Sequence, residues 1–421
     1  MPAASAPAAA DRTPLTAAEF AALMRPLGPF GAAPRLAAGV SGGPDSLALA
    51  LLAADWTRTR GGDLLALVVD HGLRPESPAE ARGVARLLAG QGIASRILSL
   101  GLPGGPALQA RARAARRAAL LAACAEAGRP WLLLGHQRGD QAETLLLRAE
   151  RGSGLDGLAG MAMASPAAEA LVLRPLLGTP AARLAATVAA AGLQALADPS
   201  NRDRRFARTG LRAALAAVPG VEATLAAAAG SFARHRARGE AALAARLSAG
   251  ARVFPEGWAL LDLPALGEDG LADLALGAVL RAVGGGPYPL PGAAVAALRR
   301  RGQGTLGGAW LRPGRGGWQV LRAPGPFGAP VPARRGAVWD GRFRLDGEGD
   351  PACVIAALGP AARDLPAHDL PAAVRAALPG LWREGMLVAA PFLDYPTAED
   401  AARCVLVFQA TGLAGLAGRP D

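Results

Sequence analysis

Residues 36–46 read Leu-Ala-Ala-Gly-Val-Ser-Gly-Gly-Pro-Asp-Ser. A short apolar run stops at a pair of glycines, and a helical pattern opens at Asp45. The glycines let the backbone take positive φ and come close to an anion. A helix starting directly after such a turn presents unpaired N–H groups and the positive end of its dipole. Ser41 and Ser46 add hydroxyls, and Asp45 adds a carboxylate suited to Mg²⁺ lying between phosphate oxygens. The stretch therefore reads as a phosphate-binding turn made of Ser41, Gly42, Gly43, Pro44, Asp45 and Ser46.

Outward from this turn, strand and helix patterns alternate. Strands are expected at Leu36–Val40, Leu64–Asp70, Ala94–Leu100 and Trp131–Leu134. Helices are expected at Asp45–Trp56, Ser77–Gly92, Leu108–Ala127 and Gln141–Arg151. This order predicts an α/β fold with a doubly wound parallel sheet, whose ligands sit beyond the carboxyl ends of the strands. His71 and His136 each follow a strand at that edge. Arg113 shares a helix face with Arg116 or Arg117.

After a Gly/Ala/Pro-rich stretch at 152–165, helical character resumes at Thr179–Gly192, and Pro219-Gly220 breaks the chain. Residues 221–320 look helical at first and then form Gly-rich short strands. Residues 323–335 (APGPFGAPVPARR) read as a linker. Three domains are expected: a catalytic domain over 1–218, a mainly helical domain over 219–325 and a small α+β domain over 336–421. The first 35 residues carry no secretory pattern, and no apolar run is long enough to span a membrane.

The 421 residues include 45 basic and 34 acidic side chains, a formal charge of +11. That balance suits a polyanionic partner. Every basic side chain is Arg, so a compositional bias explains part of it. Without Lys there is no Walker A loop, no pyridoxal Schiff base and no lysine aldolase chemistry. Cys124, Cys353 and Cys404 lie far apart, which disfavours a zinc ribbon, a cysteine-held cluster and a disulfide framework. Such usage fits a reducing cytoplasm.

Ser41–Ser46 resembles the SGGxDS loop of the PP-loop ATP pyrophosphatases. Further motifs narrow the resemblance to the tRNA(Ile)-lysidine synthetases. Asp70–Arg74 (DHGLR) is similar to their DHxLR segment, and Gln109–Arg116 to their A-R-x-x-R helix. Gly135–Thr144 (GHQRGDQAET) with Arg151–Met161 resembles their GHHxDDQAET…RGSGxxGLxGM block. Leu173–Leu177 and Asp198–Arg212 match the next two elements, the latter holding Asn201, the one Asn of the chain. Weaker similarity continues through Thr305–Arg322 and Val374–Pro391. The chain departs from the pattern at Gly139, where the family has an acid, at Gln137, and at Thr209-Gly210. Seen from sequence alone, restoring an acid by Gly139→Asp keeps or raises activity.

The resemblance implies that ATP adenylates the C2 carbonyl oxygen of the wobble cytidine in a CAU anticodon. Lysine then attacks C2, releasing AMP. It implies Asp45, Asp140 and Arg208 as catalytic residues, Asp45 and Asp140 as Mg²⁺ ligands, and Asp70, His71, Arg113 and His136 beside the turn as nucleotide contacts. Arg212 would neutralise phosphate or grip tRNA. The implied partners are ATP, Mg²⁺, L-lysine and tRNA(Ile); no membrane is expected, and a homodimer is compatible. Another PP-loop tRNA-modifying enzyme and a non-catalytic tRNA-binding relative stay open, as does a general nucleic-acid binder. His235 reads as part of a solvated basic face, and Arg299-Arg300-Arg301 as a surface charge run able to meet an RNA backbone.

Overall fold

A computed structural model describes residues 12–72, 75–101, 105, 108–196, 207–365, 369–395 and 405–409. Leu73, Arg74, residues 197–206 with Asn201, and Cys404 lie outside the described residues. The chain divides into two compact units, residues 1–237 and 238–417.

The first unit is built on a six-stranded sheet with strand order β3-β2-β1-β4-β6-β5. Its strands are β1 (Arg35–Val40), β2 (Asp63–Asp70), β3 (Ala94–Ser99), β4 (Trp131–Leu134), β5 (Ala164–Pro166) and β6 (Leu171–Leu173). All pairings are parallel except β5 with β6. The helices are α1 (Ala17–Met24), α2 (Pro44–Arg58), α3 (Ser77–Gly90), α4 (Leu108–Glu126), α5 (Arg138–Glu150), α6 (Leu155–Leu158), α7 (Ala181–Ala190) and α8 (Ala207–Ala216).

Alternation along the strands fills two cores. Leu36, Ala38, Val40, Val68 and Leu133 point to one face, against α1, α2, α3 and α7. Ala37, Leu67, Leu132 and Val172 point to the other, against Leu120, Leu121 and Cys124 of α4. The strands therefore read as continuous apolar runs, as a sheet covered on both faces requires. Leu133 is fully buried, so Leu133→Ala would cost about 2–5 kcal/mol. Burial pushes the Cys124 thiol up to about 11, which makes it an inert core residue.

Helix α9 (Val221–Gly250) leads into the second unit. There, β7 (Ala251–Phe254), β8 (Trp258–Leu261), β9 (Gly304–Leu306), β10 (Ala309–Gly314) and β11 (Gly317–Arg322) form an antiparallel sheet of order β7-β8-β11-β10-β9. Helices α10 (Leu263–Leu266), α11 (Gly270–Gly284) and α12 (Gly292–Arg301) come between β8 and β9. Leu276, Val279 and Leu280 of α11 pack with Leu311 and Val320. A second core gathers around Trp339, Phe343 and Ile355. It lies on β12 (Val331–Pro332), β13 (Val338–Trp339), β14 (Phe343–Leu345), β15 (Val354–Ala357), β16 (Pro379–Arg383), β17 (Met386–Ala389) and β18 (Leu406–Phe408), while α13 (Ala372–Ala376) packs Val374 with Trp258 and Leu321.

Residues 323–335 differ from the linker expected of their composition. Val331 pairs with Ile355, and Gly328 N–H donates to Asp340 Oδ1 at 2.8 Å. Asp340 is the centre of a buried ion cluster. Arg322 forks onto both its oxygens at 3.0 and 3.1 Å, and Arg342 Nε donates to Oδ2 at 2.7 Å. Burial pushes Arg342 down to about 10 despite its acid partner. Burial alone would raise the Asp340 pKa, but the two guanidiniums outweigh it and hold the carboxyl low. Proline and glycine content cannot reveal such a tie, because the charged partners lie outside the segment itself.

Candidate active site

Strands β1, β2 and β3 are laid successively to one side, and β4 is then added on the free side of β1. The direction reverses between β1 and β4, so the turns leaving these two strands diverge and open a crevice at the carboxyl edge. The turn Ser41–Gly43 flanks this crevice on one side, and Gly135–Gln137 on the other.

The first turn is shaped from within. Gly42 has φ +86°, and a Cβ there would lie 2.7 Å from Val84 Cγ2. Its carbonyl accepts from Leu196 N–H at 2.9 Å. Ser46 Oγ accepts from Ser41 N–H and donates to Gly43 O, both at 3.1 Å. Ser46 thus braces the turn, while Ser41 is exposed. No side chain caps α2 at Gly43, and Pro44 occupies its first position, where a missing N–H is harmless. A helix start left without a side-chain cap keeps first-turn N–H groups available to an anion. Gly135 is a packing requirement: a Cβ would come within 3.1 Å of Asp45 O and Ser46 Cα.

Asp45 Oδ1 is buried and has no hydrogen-bond partner among the described residues. Its pKa is pushed up to about 6, first by burial and then by the nearby Asp140 charge, with Arg212 opposing both. Asp140 Oδ2 accepts from Gln137 N–H at 3.0 Å, and Gln137 Oε1 accepts from Gly139 N–H at 2.6 Å. This reciprocal cap starts α5 at Arg138, three residues before the start expected from periodicity. Arg212 on α8 spans Asp140, at 3.1 Å to Oδ1, and the buried Glu143. Burial disfavours the Arg212 charge, but Glu143, Asp140 and Asp45 outweigh it and raise its pKa.

The other candidates are placed as follows. Asp70 Oδ1 accepts from Gly72 N–H at 2.9 Å and from Ser77 Oγ, so it holds its own turn and the start of α3. His71 and His136 are half-buried just past β2 and β4. Arg113 is exposed on α4 and, among the described residues, bonds to none of the acids. Its neighbour Arg116 has its pKa lowered by burial and by the Arg113 charge. Arg208 lies on α8, but its side chain is outside the described residues. The structure thus brings Asp45, Asp140 and Arg212 together.

Three participants were not singled out from sequence. Glu143 was detectable as the i+3 neighbour of Asp140 on one helix face. Gln137 as a cap and Glu222 had no local signal. Glu222 Oε1 accepts from Arg138 Nε at 3.0 Å, and its Oε2 would lie 3.3 Å from a Cβ on Gly139.

The donor set suits a phosphate-borne divalent cation. Asp45 offers an oxygen without a partner, and Asp140 Oδ1 is shared with Arg212. Among the described residues, no group of three or more His, Cys, Asp or Glu side chains could cage a metal. Mg²⁺ is commonly held by one or two carboxylates plus phosphate oxygens, which this arrangement permits.

Residues 15–218 match the PP-loop domain family. The tRNA(Ile)-lysidine synthase of Novosphingobium aromaticivorans is 41% identical over 319 residues, covering 73% of this chain and 94% of the relative. That of Ralstonia nicotianae is 36% identical, covering 77% of this chain and 69% of the relative. That of Rhodopseudomonas palustris is 48% identical over a shorter span, 43% of this chain and 53% of the relative. Among solved structures, the U34-tRNA thiolase NcsA from Methanococcus maripaludis aligns with TM-score 0.42 and 18% identity, covering 51% of this chain and 78% of that one.

Proposed function

The chain belongs to the tRNA(Ile)-lysidine synthases of the PP-loop family, ATP-dependent enzymes that modify tRNA, and we propose how its own residues divide the work. The observation that carries the assignment of roles is the buried, unpartnered carboxylate oxygen of Asp45 beside the uncapped start of α2.

The reaction couples two substitutions. The C2 carbonyl oxygen of the wobble cytidine attacks the α-phosphorus of ATP, and pyrophosphate leaves. The ε-amine of lysine then adds at C2, and the former carbonyl oxygen departs on AMP. The turn Ser41–Ser46 holds the phosphate tail through backbone N–H groups, stabilising charge that grows as pyrophosphate separates. Asp45 and Asp140 would hold Mg²⁺, which would supply charge neutralisation on the phosphate oxygens. Asp140, together with Glu143, attracts the incoming ammonium and assists its loss of a proton. Arg212, held by these acids, neutralises phosphate or grips tRNA, and Arg208 of the same helix shares that task. His71, His136, Asp70 and Arg113 line the nucleotide side. The second unit supplies the tRNA grip, with the antiparallel sheet and the Trp339 core as its two parts. The target base lies in a single-stranded loop, where its edge can be reached without opening a helix.

The test is incorporation of labelled L-lysine into unmodified tRNA(Ile) with a CAU anticodon, with and without ATP. Incorporation that needs ATP and vanishes in Asp45→Ala supports the reading. ATP-independent labelling, or full turnover by the variant, refutes it.

A further inference from the structure

Residues 299–301 carry three consecutive arginines at the end of α12, and the reaction uses none of them. Their surroundings separate them. Arg299 is tied down: Nε donates to Asp273 Oδ1 at 2.7 Å, and Nη2 donates to Glu268 O at 2.9 Å. Arg300 and Arg301 are exposed and, among the described residues, face no carboxylate. Gly302 ends the helix with φ +71°, turning the chain into β9. There Arg301, Gln303, Gly304 and Trp310 line a shallow cleft, wide open to solvent, of about 540 Å³. A Cβ on Gly304 would stand 3.1 Å from Leu298 Cδ1 and in ordinary contact with Arg301 Nη2 at 3.5 Å, so the glycine leaves the guanidinium close to the backbone here.

Trp310 is half-buried and packs on the Trp258–Leu321–Val374 cluster, which fixes the indole. The Arg312 guanidinium covers the ring at 4.7 Å. Gln319 Oε1 accepts from Arg312 Nε at 3.1 Å and Nη2 at 3.0 Å, which locks that stack. Arg312 has no acid partner among the described residues. The cleft thus combines a held aromatic ring, the Arg301 cation and the Gln303 amide, and the Arg312 guanidinium lies against the same ring.

We propose that this cleft binds an unpaired nucleotide of the tRNA, its base stacked on the Trp310–Arg312 platform and its phosphate on Arg301. The proposal rests on the tRNA-modifying reading above. A duplex keeps its bases stacked on one another and offers none to an indole, whereas a single-stranded nucleotide does. Gln303 can bond to a base edge. Such a nucleotide gives the exposed Arg301 a ligand, whereas Arg299 is taken up by Asp273.

Fluorescence anisotropy with the full chain tests it, using unmodified tRNA(Ile), the single strand rA10 and a 10-base-pair RNA duplex as probes. Trp310→Ala should weaken rA10 between about 5-fold and 150-fold, the equivalent of roughly 1–3 kcal/mol for one stacked base. Trp310→Phe should recover most of that affinity. Arg301→Ala, an exposed change that leaves the packing intact, should weaken rA10 and reduce the salt slope by about 0.7. The duplex should be affected by neither Trp310 variant. Equal losses on duplex and single strand, or unchanged rA10 binding in both Arg301→Ala and a folded Trp310→Ala, overturn the proposal. If the wild-type chain binds no tRNA at all, it is the tRNA reading that fails instead.

Discussion

Asp45→Asn should stabilise this protein while removing its activity. In the folded chain Asp45 titrates at about 6, against an ordinary 3.8. At roughly 1.4 kcal/mol per pH unit, this gap withdraws about 3 kcal/mol of stability once the carboxylate ionises. The folded chain holds the proton more tightly than the unfolded one. Stability is therefore full below about pH 4 and falls as pH rises through about 6, above which the penalty is constant. An asparagine keeps the shape and never ionises. Its amide still loses water on burial, which trims the expected gain at pH 8 to about 1–3 kcal/mol. Urea unfolding of both proteins at pH 4.5 and pH 8 measures this directly. The difference should be small at the lower pH and clear at the higher one. Lysine incorporation should fall by about 10²-fold or more, since the negative charge meant for the cation is gone. A variant that is less stable at pH 8, or a difference that ignores pH, would show that Asp45 has a stabilising partner and refute the reasoning.

Other positions give sharp contrasts. Gly42→Ala puts a Cβ 2.7 Å from Val84 Cγ2 at φ +86°, so it should cost about 1–3 kcal/mol and weaken ATP binding by calorimetry. Gly43→Ala meets nothing nearer than 3.8 Å and should keep the wild-type melting temperature within about 1 °C. Gly139→Asp brings a carboxylate against Glu222 and Gln137, so it should lower the melting temperature, and adding Glu222→Gln should restore part of it; a neutral single variant would contradict this. Asp340→Ala strands the buried Arg342 charge and should cost about 3–5 kcal/mol, with Asp340→Asn in between, read by chemical unfolding.

The expectation for Gly139 shows where local reading stops. From sequence, the position looks like a lost acid that could be put back. In the fold, Glu222 on α9 has its carboxylate against that spot and is paired with Arg138. A carboxylate 83 positions away leaves no trace in the spacing around residue 139.

The parallel sheet, its helices and the phosphate turn were legible in the chain itself. Their signals are local: apolar runs of strand length, helical periodicity, and a glycine pair between them. The expected strand at Trp131–Leu134 coincides with β4, and β1 and β2 extend their expected strands by one residue each. Only the tertiary structure decided which charges meet. Asp45, Asp140, Glu143 and Arg212 come from three helices, and strand order rather than sequence distance sets their approach. The Asp340 cluster closes across a stretch whose composition resembles a linker. Backbone geometry propagates along neighbouring residues, so a sequence displays it. Electrostatic pairing depends on distance through space, and only folding fixes that.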